Sequence, residues 1–151
     1  MDKGLNILLK NRKMSRDFTV VNKYEAGISL LGAEVKAIKS GLGSLSDSFA
    51  VVKDNEIFLK KFFIPPYQQK NTSSLYEPER ERKLLLNRKE IEEIKKELKQ
   101  KTLTIVPFLV YNKNKKIKVE ICLVKGKKKF DKRETIKKRD IERDLGRRLK
   151  N

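Results

Sequence analysis

The feature that most limits what this chain can fold into is the placement of its charge. Lys and Arg number 38 against 20 Asp and Glu, a formal net charge of +18. Residues 1–16 carry five basic residues and one acidic, and residues 113–151 carry seventeen and six. Residues 17–112 between them carry sixteen and thirteen, near the balance of an ordinary globular surface. Self-repulsion opposes compaction of a one-sided segment. The middle is therefore expected to hold the packed domain and the ends to form basic extensions. Three segments follow: a basic N-terminal arm over 1–16, a domain over 17–130, and a basic C-terminal tail over 131–151. Charge this one-sided implies an anionic partner, nucleic acid first and an acidic membrane surface second.

Other counts narrow the chemistry. The chain has no His, which removes the usual general base and the commonest metal ligand. Its one Cys, Cys122, sits between Ile121 and Leu123 in a strand pattern and reads as a structural thiol. No phosphate-binding glycine loop, catalytic triad or metal-ligand spacing is present. Glu25 and Glu34 are candidate acids without a partner base and read better as salt-bridge or RNA-facing groups. A non-enzyme needing no cofactor and no metal is expected. The apolar patch at Leu5, Ile7, Leu8 and Leu9 is short for a signal peptide, and no run reaches the roughly 20 apolar residues of a membrane span. A reducing cytoplasm is the expected compartment.

The pattern along the chain is mostly β. Residues 17–31 read as one long bent strand, with Gly27 as a bulge or bend. Gly32 to Lys39 reads as a short helix closed by Gly41. Ser48–Val52 and Ile57–Phe63 flank a turn-like spacer and read as a hairpin, ended by Pro65-Pro66. Residues 67–78 read as a surface loop. From Glu79 to Lys101, Leu84, Leu85, Ile91, Ile94 and Leu98 recur at helical spacing, with Asn87 and Glu90 placed for a capping box. Leu103–Tyr111 and Lys116–Lys125 read as a closing pair of strands. The order β-β-β-α-β-β is that of an OB-type closed antiparallel barrel, with the longer helix between the third and fourth strands. Other α+β folds share that order.

Past Gly126 the apolar residues thin out. Ile141, Leu145 and Leu149 form one narrow stripe if helical, too little to fix the segment to a domain. A tail that is disordered when free and helical when bound is expected. The run Gly126-Lys127-Lys128-Lys129-Phe130 suits phosphate neutralisation, with Phe130 able to stack on a base or pack.

Five blocks taken together resemble the SsrA-binding protein family, also called small protein B. They are Tyr24-Glu25-Ala26-Gly27-Ile28, Gly32-Ala33-Glu34-Val35-Lys36, Asp47-Ser48-Phe49-Ala50, Arg82-Lys83-Leu84-Leu85-Leu86-Asn87, and Gly126-Lys127-Lys128 with Asp131-Lys132-Arg133-Glu134. The resemblance runs from about Asn11 to Leu149. It implies an OB-type barrel that binds transfer-messenger RNA (SsrA RNA) and brings it to stalled ribosomes in trans-translation. The barrel stands in for a tRNA anticodon arm, and the tail enters the empty messenger channel, facing small-subunit ribosomal RNA. A monomer is implied, one per RNA. Asn11, Glu25, Leu85 and Lys118 match the family's RNA-binding face, and Arg12 and Arg16 extend it. Gly126, Lys127, Lys128, Asp131, Lys132, Arg133 and Ile136 fall in the tail and ribosome-facing part. Arg16 stands where the family usually has His, and its planar guanidinium could also stack. Beside this reading stand a generic OB-type RNA or single-stranded DNA binder and a polybasic membrane-surface protein.

Overall fold

The computed structural model describes residues 6–68 and 75–127. They form a mainly β, antiparallel structure with three helices. The strands are β1 (Asn6–Lys10), β2 (Phe18–Ile28), β3 (Phe49–Lys53), β4 (Glu56–Lys60), β5 (Arg82–Leu85), β6 (Thr104–Lys113) and β7 (Lys116–Gly126). The helices are α1 (Met14–Asp17), α2 (Gly32–Lys39) and α3 (Arg88–Gln100). Hydrogen-bonded neighbours run β1-β6-β3-β4-β5-β2-β7, and β7 pairs with β6 as well. Among the described residues no helix is long and apolar enough to cross a membrane.

Local chemistry explains the parts that match expectation. The β3–β4 turn puts Asp54 and Asn55 at positive φ, and the β6–β7 turn does the same with Asn114 and Lys115. Two successive positive-φ residues let a two-residue hairpin follow the strand twist. Helix α2 spans the expected residues, and Gly41 follows it at φ +81°. In α3 the Asn87 side chain accepts from the Glu90 N–H at 2.8 Å, and the Glu90 carboxylate accepts from the Asn87 N–H at 3.4 Å. That reciprocal cap starts the helix at Arg88.

Three expectations need correction. The first concerns the segment read as a basic arm. It carries β1, antiparallel to β6, and the single turn α1. A register shift between Ile7 and Leu9 lets Leu8 and Leu9 both pack against the core. Charge count alone hides such a strand, because its one cation, Lys10, and the Arg12 and Lys13 that follow it are exposed. Secondly, residues 82–85 are a strand where the leucine spacing suggested helix. Arg82 and Leu84 point inward while Lys83 and Leu85 point outward. Seven strands result among the described residues rather than five, and the longer helix lies between the fifth and sixth of them. Thirdly, the bulge in β2 falls between Val20 and Asn22, not at Gly27.

The main core gathers Ile38, Ile57, Leu59, Phe62, Ile94, Ile105, Val119, Ile121 and Leu123. A smaller cluster of Met14, Val106, Cys122 and Val124 lies under α1. Cys122 is fully buried, and burial pushes its thiol up to about 11. A thiol reagent at about pH 8 should leave the native protein untouched and label it only after denaturation. Rapid labelling of the folded chain would show that this cluster opens.

A buried ionic knot ties α2 to β5. Glu34 is 1% exposed and Arg82 0%. Glu34 Oε2 accepts from Arg82 Nε at 2.7 Å and also from Arg82 Nη2, while Arg80 reaches both carboxylate oxygens. Glu34 Oε1 also caps α2 by accepting from the Leu31 N–H at 2.8 Å. The remaining Arg82 protons go to the carbonyls of Phe62 at 2.5 Å and of Arg80 and Pro78 at 3.1 Å. Burial alone would push the Glu34 carboxyl up. The hydrogen bonds from Arg80, Arg82 and Leu31 outweigh it and hold the group at about 2. Glu34 is thus a structural acid.

Candidate nucleic-acid interface

The residues expected to meet RNA fall into two groups. The first lies across the outer side of β7, β2 and β5. Gly27 pairs with Lys118 on one side and Leu85 on the other, so the three stand in a row across neighbouring strands. A Cβ on Gly27 would sit 3.2 Å from the Leu85 Cβ. The missing side chain lets Leu85 close over the strand. Leu85 is 52% exposed, while its neighbour Leu84 belongs to the core.

Beside this row lies a groove of about 360 Å³. Leu85, Ile117 and Leu30 supply an apolar floor, and Lys39, Lys115, Lys116 and Lys118 line it with no carboxylate among them. Lysines around an apolar floor can hold backbone phosphates while the floor meets a base or ribose. Only Leu85 and Lys118 of this set were singled out from sequence. Lys115 sits in the β6–β7 turn and Lys116 opens β7, where a run of lysines marks the turn without showing which groove it borders. Lys39 joins them only through the fold.

Glu25 stands two residues before Gly27 on β2 and is paired directly opposite Glu120 of β7. Like charges in that position repel. Lys23 Nζ approaches Glu120 at 3.5 Å, and Lys113 Nζ approaches Glu25 at 3.2 Å. Tyr111 of β6 donates its O–H to Glu25 Oε2 at 2.5 Å. That hydrogen bond is the largest influence on Glu25 and, with Lys113, lowers its carboxyl from the ordinary value against a smaller opposing desolvation.

The second group surrounds α1. Asn11 and Arg16 line a groove of about 680 Å³ with Lys13, Lys61 and Phe49, and it shares no residue with the Leu85 groove. Asn11 is only 3% exposed. Its Nδ2 donates to the Pro107 carbonyl at 3.0 Å, and its backbone N–H donates to the Phe108 carbonyl at 2.8 Å. It therefore anchors the β1–α1 link to β6, whereas Arg12 beside it is exposed. Arg16 is half exposed and donates to Asp17 Oδ1 at 3.1 Å.

The tail leaves from this second group. Gly126 pairs with Phe18, and a Cβ there would meet open space. Lys127 donates its backbone N–H to Asp17 O at 3.0 Å and its Nζ to Ser15 O at 2.8 Å. Lys118 lies eight residues before Gly126 on β7, about 26 Å away at strand rise. Lys128, Asp131, Lys132, Arg133 and Ile136 lie outside the described residues.

The sequence model of the SmpB protein family matches residues 8–151. The SsrA-binding protein of Acetivibrio thermocellus is 47% identical over 144 residues, covering 95% of this chain and 93% of its own. That of Mycoplasma genitalium is 48% identical over 139 residues, covering 92% and 95%. Among solved structures, a chain from the work described as "tmRNA-SmpB: a journey to the center of the bacterial ribosome" superposes with a TM-score of 0.67 at 35% identity, covering 85% of this chain and 93% of that one. With a family match over residues 8–151 and relatives nearly half identical along almost its whole length, the chain belongs to the SmpB family of SsrA-binding proteins.

Proposed function

We propose that this protein is a non-catalytic adaptor that binds transfer-messenger RNA and delivers it to stalled ribosomes for trans-translation. The observation that carries the reading is the row Lys118–Gly27–Leu85, which sets an exposed leucine beside a lysine-lined groove on a family member of matching length. An exposed apolar side chain among cations suits an RNA surface that presents bases as well as phosphates.

In this reading the circuit of strand pairings is an OB-type closed barrel that takes the place of a tRNA anticodon arm. Glu25, Leu85 and Lys118 contact the RNA, joined by Lys39, Lys115 and Lys116. The buried Asn11 contributes by holding the β1–α1 link in place. The groove of Arg16 and the tail beginning at Gly126 and Lys127 form a second, ribosome-facing surface. Tail residues Lys128, Asp131, Lys132, Arg133 and Ile136 act in the empty messenger channel. One chain serves one RNA in the cytoplasm. The division is supported by the separation of the two grooves and by the exit of the tail at the far end of β7 from Lys118.

RNA that co-purifies with the full chain from its own cells should be dominated by transfer-messenger RNA on sequencing. A heterogeneous pool, or single-stranded DNA, would instead favour a general nucleic-acid binder.

A further inference from the structure

Glu25 presents a problem for an RNA face. A carboxylate among phosphates is repelled unless something fixes it where a hydrogen-bond donor will meet it. Tyr111 supplies that fixing contact. It lies on β6, paired with Lys118, yet is only 3% exposed. Its hydroxyl reaches past β7 to Glu25 on β2 at 2.5 Å. This contact occupies Oε2. Oε1 has Lys113 Nζ only at 3.5 Å, and the residue is exposed.

We propose that Tyr111 is the positioning residue of this face: its phenol holds the Glu25 carboxylate beside Lys118 so that Oε1 accepts from a 2′-hydroxyl or base amino group of the RNA. This rests on the reading of Glu25 as an RNA contact. A buried tyrosine ring is a rigid post, unlike the exposed lysines around it, so it fixes direction as well as charge. Selectivity follows from that direction. A donor in the right place replaces water on Oε1, whereas a phosphate there meets a fixed negative charge. Duplex DNA offers no 2′-hydroxyl at that point.

The test uses the full chain and in vitro transcribed transfer-messenger RNA. Tyr111→Phe keeps the ring and removes the hydroxyl. It should weaken binding about fivefold, as the loss of one net hydrogen bond implies. Glu25→Gln should weaken it about tenfold, since hydrogen bonds to charged groups are stronger. The double variant should bind no more weakly than Glu25→Gln alone, because Tyr111 acts through Glu25.

A pH series adds a readout that packing damage would not move. The groups facing Glu25 are Tyr111 and Lys113 from β6 and Lys118 and Glu120 from β7. Without the Tyr111 hydrogen bond its carboxyl moves back up, so binding by Tyr111→Phe should start to fall at a higher pH than binding by the native chain. Native-like binding by Tyr111→Phe, additive losses in the double variant, or an unchanged pH profile would overturn the positioning role. If Glu25→Gln itself binds normally, the reading of Glu25 as an RNA contact fails and the inference falls with it.

Discussion

Replacing Arg82 with Met should destabilise the fold by about 3–5 kcal/mol, the penalty for breaking a buried ion pair from one side. A fall in Tm on the order of 10–20 °C should accompany it. Met fills much of the arginine stem's volume, so the loss is electrostatic more than steric. Glu34 would keep Arg80, but it would lose the partner that is fully buried with it. The carbonyls of Phe62 and Pro78 would lose their Arg82 donor as well. Replacing both partners, Arg82→Met with Glu34→Leu, should recover much of the loss, because no isolated charge then remains inside. A single variant as stable as the native chain in urea melts would show that the knot contributes nothing net.

The same knot sets a pH dependence. The Glu34 carboxyl is held at about 2 in the fold, against an ordinary 4.5. A group depressed on folding stabilises fully above its unfolded value and loses that contribution as pH falls through its folded one. The window therefore runs from 4.5 down to about 2. The difference corresponds to about 3 kcal/mol at the usual conversion of 1.36 kcal/mol per unit. Stability measured down this window should drop steeply in the native chain. It should drop less in the double variant, which has no carboxyl there to protonate.

Where the sequence foretold structure, it did so through signals that are complete within a few residues. Asn87 with Glu90 marks the start of α3, and the turn pairs Asp54-Asn55 and Asn114-Lys115 sit in the two hairpins. The alternation Ile117, Val119, Ile121, Leu123 in β7 shows which side faces the core. What stayed hidden depends on distant partners. β1 has five residues and its partner lies about a hundred residues away in β6, while the lysines and arginines that follow it dominate any local count. β5 has four residues, and a Leu84-Leu85-Leu86 run reads equally well as helix. The row proposed to face RNA is hidden for the same reason. Glu25, Leu85 and Lys118 come together only because β2 lies between β5 and β7, so their joint role came from family resemblance rather than local pattern. Asn11 shows the opposite limit. The family resemblance places it on the RNA-binding face, and the fold turns its side chain inward onto Pro107.

Leu84 and Leu85 offer the sharpest separation of fold from function, because neighbouring strand residues face opposite sides. Leu84→Ala should destabilise by about 2–5 kcal/mol, the usual range for a leucine removed from a packed core. The fraction that remains folded should bind transfer-messenger RNA as well as the native chain. Leu85→Asn should do the reverse. A half-exposed leucine already meets water, so its polar replacement should change stability by less than about 1 kcal/mol. Covering the remaining apolar surface with RNA is worth about half of a full leucine burial, roughly 1–1.5 kcal/mol, so affinity should fall close to tenfold. Asn adds no charge, so the salt dependence of binding should keep its slope while the whole curve shifts to weaker affinity. Thermal melts and RNA titrations on the two variants decide the matter. A Leu85→Asn protein that melts early yet binds normally would make Leu85 a packing residue for Gly27, and the lysines of the groove would then have to bind RNA without an apolar floor.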